Sequence, residues 1–166
     1  MEEYTLLVDK NDEYKGVKLR SELTQSDIIR ISSVWIHDSQ GNILLAQRGF
    51  NKKKDPGKWG PAVAGTHSEG DTYESNAIRE TMEEIGVVLA EKNFLARKKF
   101  FVERPQESFF CTVFLAQVEK TAQLTVDPVE VAAVKWFTRN ELITALEDRN
   151  ADFIRSVRYY FDLFEK

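Results

Sequence analysis

The stretch that most constrains this chain is a Gly-rich turn followed by a short acidic helix, GTHSEGDTYESNAIRETMEEIGV, at residues 65–87. We predict a helix over residues 72–85, because Gly86 is a typical C-cap. Three glutamates share one face of this helix at i,i+3 and i,i+4 spacing: Glu80, Glu83 and Glu84. Three apolar residues lie on the opposite face, which predicts their burial: Ile78, Met82 and Ile85.

The three glutamates repel one another, and like charges at i,i+4 spacing cost roughly a few tenths of a kcal/mol each. Arg79 lies four residues before Glu83, so the two side chains can form an ion pair. The turn from Gly65 to Gly70 can bring backbone carbonyls close to the same face. Hard divalent cations bind converging carboxylate and carbonyl oxygens, so the pattern predicts a magnesium site.

The remaining segments predict an α/β domain with helices on both faces of a mixed sheet. Alternating and apolar runs predict an N-terminal hairpin over residues 4–20, followed by further strands within residues 28–48, 62–71, 93–103, 107–118 and 132–138. Two helices are predicted to close the chain, over residues 140–148 and 151–164. The last has a core-facing stripe formed by Phe153, Val157, Tyr160, Phe161 and Phe164.

Charge and cysteine content exclude several classes of function. A formal net charge of -4 gives no support for general binding to nucleic acid or to a membrane. The single cysteine, Cys111, excludes an internal disulfide and is predicted to be a core residue, and two histidines are too few for a zinc cluster. No apolar run approaches the ~18 residues of a membrane span. The acidic start lacks a secretory signal, so we expect a cytoplasmic protein.

The spacing within residues 65–87 resembles the signature of the Nudix hydrolases, G-x5-E-x7-R-E-U-x-E-E-x-G-U, in which U is a bulky aliphatic residue. The matching positions are Gly65, Arg79, Glu80, Glu83, Glu84, Gly86 and Val87. Two positions depart from the signature, because Asp71 replaces its first glutamate and Thr81 replaces an aliphatic residue. The shorter arm of Asp71 predicts a weaker contact with Arg79.

The resemblance implies one Nudix domain over residues 1–166, an α/β/α sandwich with a mixed sheet and an N-terminal hairpin extension over residues 1–27. It also implies a diphosphatase that uses Mg²⁺ or Mn²⁺ and metal-activated water. The substrate would be a small molecule, either a nucleoside diphosphate linked to another group X or another diphosphate. The resemblance leaves a homodimer open, since dimers are common among such proteins.

The resemblance also assigns residues to the site. The predicted metal ligands are Glu80, Glu83, Glu84, Glu130 and the backbone carbonyl of Ala64. The predicted catalytic residues are Glu80, which would activate water, Glu84, and Arg79, which would orient the carboxylates. The predicted phosphate-binding residues are Arg48, Lys52 and Lys58. Glu103 and Glu107 are alternative bases, whereas Lys53, Lys54 and His67 are predicted to be exposed loop residues without such a role.

Two alternative functions follow from the same resemblance. The loop before the signature and the leading hairpin look most like the branch that contains type I isopentenyl-diphosphate isomerases and hydrolases related to them; the isomerases transfer protons at carbon. Those enzymes have a cysteine before the first glycine of the signature, a histidine after it and a second acid on a later strand. Ala64, Thr66 and Phe109 take these places here, which argues against proton transfer at carbon. The other alternative is a nucleotide-binding module without catalysis, which is disfavoured because all three helical glutamates are present.

Overall fold

The computed structural model describes residues 3–148 and 152–166. Within these ranges nine strands form one sheet. In chain order they are β1 (Tyr4–Val8), β2 (Tyr14–Leu19), β3 (Ile28–His37), β4 (Ile43–Arg48), β5 (Trp59–Pro61), β6 (Val63–Thr66), β7 (Phe94–Arg104), β8 (Glu107–Gln117) and β9 (Val131–Phe137). The α-helices are α1 (Tyr73–Ile85), α2 (Arg139–Glu147) and α3 (Arg155–Phe164). None of these helices is long and apolar enough to cross a membrane.

Strand β3 is the centre of the sheet. It pairs with β1, β4, β6 and β8, and only the pairing with β8 is parallel, so the sheet is mixed. The sequence of β3, IIRISSVWIH, is rich in β-branched residues, and most of its second half is fully buried. A strand rich in β-branched residues and buried over most of its second half suits the centre of a sheet covered on both faces.

Helices cover both faces of the sheet. Val34 and Ile36 pack in one core cluster with Ala77 of α1. Trp35, which points to the opposite face, packs with Val157 of α3 and with residues of α2. The α/β/α sandwich with a mixed sheet is therefore confirmed, and so is the N-terminal hairpin formed by β1 and β2.

Helix α1 begins and ends as its sequence predicts. The Thr72 side chain accepts a hydrogen bond from Ser75 N at 3.0 Å, and Gly86 ends the helix in the left-handed conformation with φ of 72°. The prediction that Met82 is buried was wrong, because its side chain is 52% exposed. The buried face follows Ala77, Thr81 and Ile85, and Met82 lies roughly 100° around the helix from Thr81.

Thr81 is fully buried where the family signature has an aliphatic residue. Its Oγ1 donates a hydrogen bond to Ala77 O at 2.6 Å, so the hydroxyl is satisfied within its own helix. Because a buried polar group is costly only when it lacks a partner, this departure leaves the packing of α1 intact.

Helix α3 begins later than the sequence predicts. Trp59 N donates to Asp152 O at 2.7 Å, and Ile154 N donates to Trp59 O at 2.9 Å. These bonds hold the segment before Arg155 extended, and Phe153 forms a β-bridge with Trp59. The predicted start of this helix, at residue 151, lies outside the described residues. Its apolar stripe is confirmed for Val157, Tyr160 and Phe161, which are buried, and for Phe164, which packs against them. Phe153 joins the same core cluster from the extended segment before the helix, so its place in a helical stripe was predicted wrongly.

Candidate active site

Arg79 joins three carboxylates, two from α1 and one from the turn that precedes it. Its Nη1 lies 2.9 Å from Glu80 Oε1 and 3.0 Å from Glu83 Oε2, and its Nη2 lies 3.0 Å from Asp71 Oδ2. The shorter arm of Asp71 therefore still reaches the guanidinium. An arginine with several carboxylate partners fixes their orientation, because its donors form a rigid planar fork.

Glu80 lies directly against the backbone of Gly65. A Cβ atom added to Gly65 would fall 2.1 Å from Glu80 Cδ, so only glycine leaves room for this carboxylate. The side chain of Glu80 is 15% exposed. Burial is the largest effect on its pKa and raises it above the ordinary value. A carboxyl with a raised pKa is better suited to accept a proton near neutral pH.

We expect the substitution Gly65→Ala to lower turnover by about 100-fold, because the new methyl group would displace Glu80 from its position. The measurement is kcat for the best substrate, together with the dissociation constant for Mn²⁺. Gly65 is buried in strand β6, so thermal unfolding should be recorded to show that the variant is folded. Unchanged kcat and Mn²⁺ affinity in a folded variant would contradict the proposed position of Glu80.

Asn76 is a buried residue that the sequence analysis did not identify as part of the site. Its side chain is fully buried, and Nδ2 lies 3.0 Å from Thr66 O, 3.3 Å from Asp71 Oδ2 and 3.4 Å from Glu80 Oε1. All three partners are acceptors, so the amide nitrogen rather than the amide oxygen must face them. The sequence feature that could have identified Asn76 is its i,i+4 spacing from Glu80, which places the two side chains on one face of α1.

Glu84 is surrounded by negative charge. Burial, and to a lesser extent the nearby carboxylates of Glu80 and Glu130, together raise its pKa to about 8. Lys52 and a hydrogen bond with the backbone of Ala64 act in the opposite direction. A cation near Glu84 would therefore relieve both the repulsion and the cost of burying its charge.

Glu130 reaches this cluster because its loop is bonded to the end of α1. Thr125 N donates to Ile85 O at 2.9 Å, and Asp127 N donates to Glu84 O at 3.0 Å. On the other side, Gly49 N donates to Glu130 O at 2.8 Å. The Glu130 carboxylate forms an ion pair with Lys52. The backbone thus brings a residue remote in sequence next to Glu84.

The donors around Glu84 suit a hard divalent cation. The candidate ligands are carboxylate oxygens and a backbone carbonyl, the donor types that Mg²⁺ and Mn²⁺ bind. In the part of the chain that the structure describes, no three histidine, cysteine or acidic side chains already converge as a closed metal site would require. Arg79 and Lys52 instead pair with several of these carboxylates. The residues fit a divalent cation in chemistry and charge, because each carboxylate that pairs with Arg79 or Lys52 has a second oxygen that can bind a metal.

A cavity of about 940 Å³ opens beside the acidic cluster. Most of the residues predicted for the site line it: Arg48, Lys52, Ala64, Arg79, Glu80, Glu83, Glu84 and Glu130. Lys58 does not line it, and Lys58 Nζ lies 3.0 Å from Asp55 Oδ1. The structure thus brings together every predicted site residue except Lys58, and their functional roles stay predictions.

Lys54, which the sequence predicted as a plain solvated residue, also lines the cavity. Its Nζ lies 2.5 and 2.6 Å from the two carboxylate oxygens of Glu107, and Arg104 Nη1 lies 3.1 Å from Glu107 Oε1. Two cations therefore share the Glu107 carboxylate, which makes it a weaker candidate for the base than Glu80. Glu103 does not line the cavity.

The prediction that His67 is an exposed loop residue was wrong. Its side chain is 1% exposed, and Ser32 Oγ lies 2.8 Å from its Nε2. The ring also packs edge-on against Tyr73. Burial lowers the pKa of His67 to about 4, so the ring is neutral at physiological pH. His67 supports the turn before α1 and cannot act as a cation that binds phosphate.

The three positions that distinguish the isomerase alternative all line the cavity: Ala64, Thr66 and Phe109. Phe109 lies on β8, two residues before the buried Cys111. None of the three side chains carries a thiol, an imidazole or a carboxyl group. The cavity therefore lacks at these places the groups that would transfer protons to and from carbon.

Comparisons with known proteins agree with the signature. The NUDIX domain model matches residues 29–157. The uncharacterised Nudix hydrolase PA4841 of Pseudomonas aeruginosa is 30% identical over 93% of this chain and 91% of its own length. An isopentenyl-diphosphate Delta-isomerase of Citrobacter koseri is 28% identical over 87% of this chain and 82% of its own length. The crystal structure of DR0079 from Deinococcus radiodurans has a TM-score of 0.76 at 21% identity, covering 98% of this chain and 99% of that one.

Proposed function

Because the chain belongs to the NUDIX family of hydrolases, we propose that it hydrolyses a diphosphate linkage between a nucleoside and a second group. The observation that carries this proposal is the arrangement around Glu84. Its half-buried carboxyl lies close to Glu80, Glu130 and the backbone of Ala64, beside a cavity that Arg48 also lines. An enclosed surplus of negative charge next to cationic side chains suits a divalent cation together with an anionic substrate.

We propose that the chain's own residues contribute by binding and by proton transfer. Arg48 and Lys52 line the cavity and would contact the non-bridging phosphate oxygens. Glu80, whose pKa burial raises, would accept the proton of the attacking water. Arg79 would keep Glu80 and Glu83 in place during this step. A bound Mg²⁺ or Mn²⁺ would neutralise the diphosphate and lower the pKa of a coordinated water molecule.

The proposal predicts a defined outcome for a panel of diphosphates incubated with Mg²⁺ and analysed by product mass. We expect at least one nucleoside diphosphate derivative to be cleaved at a phosphorus–oxygen bond, and omission of the metal to abolish the reaction. Isopentenyl diphosphate should not be converted to its isomer. Isomer formation would instead support the isomerase alternative, and metal-dependent nucleotide binding without any cleavage would support a non-catalytic module.

A further inference from the structure

The floor of the cavity contains three buried polar side chains within an apolar surface. The apolar part is formed by Ile29, Ile31, Ala46, Phe109 and Ile154. The polar residues are Ser33, Cys111 and Tyr160, with exposed fractions of 1%, 1% and 4%. We call these three residues the polar floor. Tyr160 comes from α3, whereas Ser33 and Cys111 come from the neighbouring strands β3 and β8.

The polar floor has hydrogen-bonding capacity that the protein does not use. Ser33 Oγ donates its only proton to Val63 O at 3.0 Å, so towards any other group it can act only as an acceptor. Cys111 Sγ lies 3.4 Å from Tyr160 Oη. A phenol oxygen has two lone pairs, and the weak thiol can occupy only one of them. The other can accept a hydrogen bond from a bound molecule.

The position of the polar floor indicates which part of a substrate it meets. Ser33 pairs directly with Ala64 in the β3–β6 register. Neighbouring strands are about 4.8 Å apart, so the floor lies about one strand away from Ala64, where we place the diphosphate. The group at that distance is the one bonded directly to the diphosphate. In a nucleotide this group is the ribose, and in a prenyl diphosphate it is a hydrocarbon chain.

Resting on the proposed function, we propose that the Tyr160 hydroxyl accepts a hydrogen bond from a ribose hydroxyl of the substrate and so selects nucleotides over prenyl diphosphates. A hydrocarbon chain in this position would leave the phenol oxygen with only its weak contact to the Cys111 thiol. A site built to hydrogen-bond a hydroxyl binds analogues that lack it more weakly, because they cannot form that hydrogen bond. Tyr160 is thus a specificity-determining residue that the signature does not contain.

The test combines Tyr160→Phe, which removes one oxygen, with ligands that lack the matching hydroxyls. The ligands are the four ribonucleoside diphosphates, their 2′,3′-dideoxy analogues and dimethylallyl diphosphate. Binding is measured calorimetrically with Ca²⁺ to slow turnover, and kcat/KM is measured with Mg²⁺. We expect wild type to bind the best ribonucleotide at least about tenfold more tightly than its dideoxy analogue or the prenyl compound. In Tyr160→Phe this ratio should fall to about one.

Tyr159→Phe is the matched control, because Tyr159 is adjacent in α3, is 48% exposed and does not line the cavity. It should retain the wild-type ratio. The wild-type protein alone also tests the proposal, since equal affinity for ribo and dideoxy ligands would overturn it without any variant. An unchanged ratio in a folded Tyr160→Phe would do the same. If no nucleotide binds at all, the proposed function fails, which is distinguishable from failure of the hydroxyl contact alone.

Discussion

Replacing Glu84 by glutamine is expected to lower kcat for the best substrate by about 10³-fold or more. The amide has nearly the shape of the carboxyl but no charge, so it contributes little to holding a divalent cation. Glu84 is the residue on which burial and two neighbouring carboxylates act together, so its charge matters most when a cation is present. The measurement is single-turnover hydrolysis with Mg²⁺, with the Mn²⁺ dissociation constant obtained in parallel.

Glu74→Gln provides a control on the same helix. Glu74 lies in the first turn of α1, forms an ion pair with Arg97 and does not line the cavity. The same chemical change there should leave kcat within about twofold of wild type, since the ion pair is near the surface. The assignment of Glu84 would be refuted if both substitutions had equal effects, or if Glu84→Gln bound Mn²⁺ as tightly as wild type.

The local features of the site were predictable from sequence because they depend on spacing within one helix. Thr72 and Gly86 mark the ends of α1, and the i,i+4 rule predicts the ion pair between Arg79 and Glu83 that the structure contains. The hairpin and the alternating strands follow from equally local patterns. These features give the fold class and the acidic face.

Other features depend on contacts between residues that are distant in the sequence. No spacing rule places Glu130 beside Glu84, because that contact needs the backbone bonds between the loop and the end of α1. The start of α3 was misplaced for a similar reason, since Trp59 holds the preceding segment extended. His67 looked like a polar loop residue, yet Ser32 provides it with a buried partner. Tertiary contacts override local preference in each case.

The directions of the lysine side chains in the loop over residues 49–61 also could not be predicted from the sequence. A run of lysines in a Gly- and Pro-containing loop gives no indication of which side chains turn towards the site. In the structure Lys52 pairs with Glu130 and Lys54 with Glu107, and both lysines line the cavity, whereas Lys58 pairs with Asp55 of its own loop and does not line it. The acidic partners of Lys52 and Lys54, which lie on other segments, hold these two lysines at the cavity.

Without metal, the wild-type protein is expected to lose stability as the pH rises from about 5 to about 8. The folded-state pKa of Glu84, about 8, lies above its ordinary value of 4.5. Below pH 4.5 the carboxyl is protonated in both the folded and the unfolded state, so it does not lower the free energy of unfolding. Between pH 4.5 and about 8 only the unfolded state loses this proton, so the free energy of unfolding falls as the pH rises. Allowing for partial exposure of the side chain, we expect a loss of about 2–4 kcal/mol from this group. Chemical denaturation across this pH range, in chelator, measures it.

The same experiment on Glu84→Gln separates this residue from the other titrating groups. Without metal the variant should match wild type near pH 5 and exceed its free energy of unfolding at pH 8 by about 2–4 kcal/mol. In the variant the free energy of unfolding should still fall with pH, but less steeply, because the pKa of Glu80 is also raised. Mg²⁺ or Mn²⁺ should reverse the order at pH 8, because binding to the folded state stabilises wild type by about 4.1 kcal/mol at a thousand times the dissociation constant. Parallel pH profiles for the two proteins would show that the Glu84 carboxyl does not destabilise the metal-free fold. Equal stabilisation of both proteins by metal would show that Glu84 is not a metal ligand. The residue that weakens the metal-free fold would thus be the one on which metal binding most depends.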